Sequence, residues 1–230
     1  AGVTPATMPP RIAARNLIMP TLRPGPPGAP MRSLKYIAVI LLLLGLPVAF
    51  TAFGTALGYF RLPYELAPVD ERLPVVFRLH MLAAALAILL LAGAVATQGL
   101  KLHKYLGRSA ACLVAVAGTT ALPVAIYSAA SGPARYGFFL QGIAWLSFLA
   151  AGFVAIRSRR RDLHMWFMLA VAGVASGAIW IRLMIWIAIK MDLSFEALYA
   201  LAAWLSWIGP TSVIFLAAYL NGGATRRDQT

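Results

Sequence analysis

Charge is what this sequence has least of. Lys, Arg, Asp and Glu make up 12% of its 230 residues and the hydrophobic share is 61%, where a soluble domain carries roughly 25% charged residues. A chain so composed cannot cover a water-facing surface, so most of it must face lipid. Acids are scarcer still, seven against twenty Lys and Arg, and none falls inside the long apolar runs. Proton-coupled transporters and pumps work through intramembrane Asp and Glu, so that class is disfavoured. A single cysteine, Cys112, excludes an intrachain disulfide and a cysteine-based metal site. Set in an apolar run, it reads as a small buried packing residue. HExxH and GxSxG are both missing, which disfavours hydrolysis. The short alternating segments of a membrane β-barrel are missing too. The net charge of +13 does not imply nucleic acid, because the cations sit in short loops between apolar runs and act there as topology signals.

What is present is six apolar runs, at about 36–60, 77–100, 105–128, 136–156, 163–189 and 197–221. Each has the roughly 20 residues a helix needs to cross the hydrocarbon. The expected fold is an all-α, polytopic membrane bundle of six helices, with spans two to five as its core and spans one and six outside. Pro47, Pro123 and Pro210 lie inside runs and are tolerated there. Residues 1–35 form a Pro/Arg-rich tail and 222–230 a short C-terminal one. The tails and the loops at 101–108 and 157–161 hold fourteen Lys and Arg, while the opposite loops hold five. The positive-inside rule then puts both termini in the cytoplasm, and the reading is of a protein integral to the bacterial inner membrane. No secretory signal pattern precedes the first run. A Pro-rich tail that is ordered implies a partner holding it.

The stretch 157–186 concentrates the polar exceptions. Arg157, Arg159, Arg160 and Arg161 lead to His164, and Arg182 stands alone in the apolar run that follows. His103 and His164 both open helices from the cytoplasmic side, so they share a depth. A helix N-terminus disfavours the imidazolium, and a neutral ring is what a haem iron needs; the alternative is that both rings cap helix ends and meet lipid headgroups at the interface. His80 opens the second span. Arg182 has no carboxylate in any run, so it either snorkels to the outer surface or finds backbone carbonyls, Gln141, tyrosine hydroxyls, His80, water, or an acceptor such as a lipid phosphate, a quinone carbonyl or a haem propionate. Gly173 and Gly177 have the small-xxx-small spacing of a close helix contact and are a candidate face for another subunit. Trp145, Trp166, Trp186, Trp204 and Trp207 read as interfacial belts.

Several of these segments together resemble a known family. They are Leu102-His103-Lys104-Tyr105-Leu106-Gly107-Arg108, His164-Met165-Trp166-Phe167-Met168 with Arg182 beyond, Ala203-Trp204-Leu205-Ser206-Trp207, and His80. The set is similar to the bacterial integral membrane family catalogued as domain of unknown function 2306, over roughly residues 77–220. Met165 stands where that pattern carries a basic residue. The resemblance implies a fold and a topology and no activity.

Two functions follow as expectations. The first is a non-catalytic subunit docking on a larger membrane complex, respiratory or photosynthetic, with membrane lipids and other membrane subunits as partners. The second is a redox protein binding haem b or a quinone through His103 and His164, with Arg182 and His80 as further cofactor contacts.

Overall fold

The computed structural model describes residues 29–227, with side chains from 36 to 220. Residues 1–28, and with them the expected partner-held tail, lie outside the described residues. A backbone in lipid must satisfy its own N–H and C=O groups, and helices do so within one segment. The chain accordingly forms helices α1 (Ala29–Ala56), α2 (Ala67–Arg72), α3 (Pro74–Ala96), α4 (Leu102–Tyr127), α5 (Gly132–Arg157), α6 (Arg161–Ala175), α7 (Gly177–Lys190) and α8 (Phe195–Arg227). Among the described residues there is no strand. Six segments are long and apolar enough to cross a membrane, the fifth being α6 and α7 together. The protein is an all-α integral membrane protein.

The helix ends depart from the sequence expectation for local reasons. α1 begins at Ala29, inside the expected tail, and stops at Ala56. Gly58 then takes a positive φ of 81°, and the Tyr59 amide turns back to Gly54 O at 2.7 Å. That is the glycine-ended C-cap, available because glycine has no Cβ to clash. α3 begins at Pro74 rather than near 77, since proline's missing N–H costs nothing at the first helical position. This draws Arg78 into the helix, 3.7 Å from Asp70. α8 runs to Arg227, so most of the expected C-terminal tail is helical. Asp162 and Glu196 fall in the first turns of α6 and α8, where the helix dipole favours an acid.

The core is built by spans two to five. Ala83, Ala87, Ile88 and Leu91 of α3, Ala110, Val114 and Ala117 of α4, Trp145 of α5, and Val171, Val174 and Ala175 of α6 form one buried cluster. Its alanines allow close helix approach, which is how helices associate where lipid removes the hydrophobic drive. α1 packs on α3, and α8 packs on α5, α6 and α7. Two expectations are corrected here. Trp145 is buried in the core, its Nε1–H donating to Val171 O at 3.0 Å, because it lies mid-span and not at an interface. Cys112 is exposed on α4 and is not a buried packing residue.

Consecutive spans run antiparallel. The connections at 97–101 and 158–160 therefore share one end of the bundle, called the basic end for its Lys and Arg. Those at 57–73, 128–131 and 191–194 share the other. At that second end a 3₁₀ turn (Tyr64–Leu66) and α2 lie over the bundle. Val69 is fully buried there with Phe77 and Val124, and Glu65 O accepts from the Ala129 amide at 2.8 Å.

Candidate functional site

The three histidines make the same bond in three places. His103 at the start of α4 donates Nδ1–H to Ala94 O of α3 at 2.8 Å. Ala94 is in the last turn of α3, whose carbonyls lack helical partners, so the ring completes that helix end. His164 at the start of α6 reaches Gly152 O of α5 at 2.9 Å. His80 of α3 reaches Ala117 O of α4 at 3.0 Å, with Thr120 Oγ1 at 3.4 Å. A carbonyl can only accept, so each ring donates from Nδ1, and in the neutral form Nε2 is an acceptor with no partner among the described residues. His103 and His164 share the basic end, as their positions in the sequence require. They belong to different helix pairs, and α4 and α6 are not among the closely packed pairs. Among the described residues no group of three or more His, Cys, Asp or Glu is placed to hold a metal.

Toward the opposite end lies a half-open cavity of about 280 Å³ to which all six spans contribute. Its floor is apolar: Ile88, Trp145, Val174 and Ala175. With a rise of 1.5 Å per residue, Trp145 and Ile88 lie about 20 Å in from the helix starts, near the bilayer midplane. Above them is a belt of polar side chains. His80 comes from α3, Gln141 from α5, Arg182 from α7, and Tyr199 and Ser206 from α8. This belt lies some 6–16 Å in from the same end.

Each belt residue has hydrogen-bonding capacity left over. Gln141 Nε2 donates to Val174 O at 3.2 Å and keeps a second N–H and a carbonyl. Ser206 is 1% exposed, and its Oγ has no hydrogen-bond partner. Arg182 donates Nη1–H to Ala178 O, one turn back, at 2.8 Å, and has more N–H groups to give. It is in no ion pair among the described residues. Tyr199 lies within electrostatic reach of both Arg182 and Glu65. Arg182 is exposed while also lining the cavity, so its remaining N–H groups are open to an acceptor from outside the protein.

Gly173 and Gly177 are used inside the chain. The spacing pointed to a contact with another subunit, but both glycines are buried. A Cβ on Gly173 would meet Ile214 and Thr211 of α8, and one on Gly177 would stand 2.6 Å from Gln141 Nε2. That face is covered by α8 and α5, and Gly177 makes room for the Gln141 amide. The fifth span breaks next to it at Ser176, whose Oγ bonds Gly173 O at 2.6 Å. Gln141 and Trp145 donate to carbonyls on the α6 side of that break.

The sequence marked His80, Arg182 and Gln141, and the structure brings them to one cavity. It separates them from His103 and His164, which line no part of it. Ser206 and Tyr199 were not singled out as site residues. Their signal was weak, a hydroxyl in each case on a helix otherwise rich in Trp and Ala.

A family model described as a predicted membrane protein of the DUF2306 family matches residues 77–219. No curated protein and no solved structure matches the chain. The matched segment runs from α3 to α8 and holds His80, Gln141, Arg182, Tyr199 and Ser206.

Proposed function

The chain belongs to the DUF2306 family of membrane proteins, whose function is unknown, and we propose that it binds a small amphipathic molecule inside the membrane. The observation that carries this reading is the cavity itself. It is apolar at the floor, ringed by Arg182, Gln141, His80 and the unpartnered Ser206 hydroxyl, and has a volume of about 280 Å³. Small-molecule sites have this character, apolar walls with a few convergent polar groups, and start at roughly 300 Å³. Arg182 takes the acceptor end of the ligand, and the apolar floor takes the rest. If both termini face the cytoplasm of a bacterial cell, the cavity lies in the outer half of the inner membrane.

The test is extraction. Protein purified in mild detergent is denatured in organic solvent and its bound small molecules are measured by mass spectrometry. An amphiphile near one per chain is expected from the wild type. It is expected to be missing from Ala84→Phe, which fills the cavity from α3. Equal yields from both proteins would overturn the reading.

A second reading places haem b between His103 and His164. It is favoured by their Nδ1 bonds to carbonyls, the arrangement that fixes a ligating imidazole and frees Nε2 for iron. A sharp α-band in a reduced-minus-oxidised spectrum, lost in His164→Ala, is its expected signature. A flat spectrum from folded, fully extracted protein overturns it. Docking on a larger membrane complex is a separate proposal, tested by what co-purifies in mild detergent.

A further inference from the structure

The polar belt is divided between two walls. His80 is on α3. Gln141, Arg182 and Ser206 are on α5, α7 and α8, none of which is among the helices closely packed against α3. All four side chains line the one cavity, so a ligand in it can meet both sets. The chemistry of the walls also differs. On the α3 side, Ala117 O fixes the His80 proton on Nδ1, and Nε2 is an acceptor with no partner among the described residues. On the far side Arg182 and the Gln141 amide have N–H groups to spare, and Ser206 Oγ is buried and unpartnered. A ligand that satisfies both walls must donate a hydrogen bond at one end and accept at the other. A carboxylic acid or a phosphate concentrates its oxygens at one end and leaves the opposite wall unmet. A ring with oxygens at opposite positions reaches both.

Size and lining agree with a ring. A cavity of roughly 150 Å³ admits benzene, so about 280 Å³ admits a substituted ring. Phe77, Phe138 and Trp145 give it aromatic walls.

Building on the amphiphile-binding reading, we propose that the cavity takes a quinol. One hydroxyl donates to His80 Nε2, and the opposite hydroxyl accepts from Arg182 and Gln141 and donates its own proton to Ser206 Oγ.

The experiment compares two probes of nearly the same shape. Wild-type protein in phosphatidylcholine nanodiscs is titrated calorimetrically under argon with 2,3,5-trimethylhydroquinone and with its 1,4-dimethyl ether, using empty nanodiscs as the blank. The ether keeps both oxygens as acceptors and has lost both donors. The quinol is expected to bind at least about tenfold more tightly, as an unpaired buried acceptor would require. His80→Ala is expected to remove that preference, and His80→Gln, which keeps an acceptor oxygen, to restore part of it. Should His80→Ala fail to fold, the wild-type comparison decides alone. Equal affinity for the two probes, or tighter binding of the ether, overturns the quinol assignment and leaves the amphiphile-binding reading standing. Failure of both probes to bind also overturns the quinol. The wider reading then stands or falls on the extraction from wild type and Ala84→Phe.

Discussion

At the basic end of the bundle, His103 and His164 join neighbouring helices through Nδ1–H bonds to Ala94 O and Gly152 O. At the opposite end, His80 makes the same bond to Ala117 O. The local chemistry is equal, and the surroundings of the spare nitrogen differ. At the basic end the two rings open their helices next to short connections that carry Lys101, Lys104, Arg108, Arg157 and Arg159–Arg161. At the other end His80 lines a cavity with Arg182, which is in no ion pair among the described residues, the Gln141 amide and the Ser206 hydroxyl. A histidine that bonds a carbonyl is a structural clasp in both places. Only what Nε2 faces can make it part of a binding site.

That contrast can be broken most sharply by removing a wall of the cavity. A Cβ on Gly137 of α5 would stand 3.0 Å from Ala203 O and Cβ of α8, so Gly137→Leu must push α8 away. Overpacking at such a contact costs roughly 2–3 kcal/mol. The thermal midpoint in detergent should fall, and the bound amphiphile should be lost, because α8 carries Tyr199 and Ser206. An unchanged midpoint would show that α8 is not held as described.

Arg182→Leu comes next. Loss of a charge-assisted hydrogen bond is expected to weaken retention of the extracted molecule by about tenfold or more. The thermal midpoint of emptied protein should hold or rise, since a charge without an acidic partner has been removed from the membrane. Retention equal to wild type would take Arg182 out of the site.

Smaller effects come from the three histidines together. His80→Ala, His103→Ala and His164→Ala each lose one bond to a carbonyl, worth about 1 kcal/mol, and should lower the midpoint by similar small amounts. Bound amphiphile should fall in His80→Ala alone. If all three lose it equally, the two ends do not differ in the way the geometry implies.

Ser206→Ala is the smallest. Its Oγ is buried without a partner, so deleting it removes an uncompensated desolvation cost. Emptied protein should be unchanged or slightly stabilised, within about 0.5 kcal/mol, while amphiphile retention falls. A clear loss of stability would mean that the hydroxyl already has a partner in the empty protein.

Much of the site was legible because polar residues in an apolar run stand out. His80 and Arg182 are costly in lipid, and that cost announces them. Gln141 surfaced only as a neighbour Arg182 would need. Ser206 and Tyr199 were not legible, since hydroxyls in membrane helices commonly bond their own backbone and signal little, as Thr211 Oγ1 does with Trp207 O at 2.7 Å. Gly173 and Gly177 were legible as a close contact but not as a contact with α8 and α5, because spacing shows which residues share a face and not what covers it. Trp145 misled for a related reason. Tryptophan favours interfaces by composition, and only the Val171 carbonyl made the membrane interior equally good for this one.

The sequence by itself determined that the chain is helical and lies in lipid, with six segments long enough to cross, because each run has the length of a spanning helix and a helix satisfies its own backbone. It also determined which residues are expensive there. The tertiary structure decided which of them meet. Helix rotation and packing are set by many small side-chain contacts between spans, and no single run encodes them. Those contacts carried His80 and Arg182 to one cavity, left His103 and His164 at the far end, and set the Gln141 amide against Gly177, beside the interruption of the fifth span.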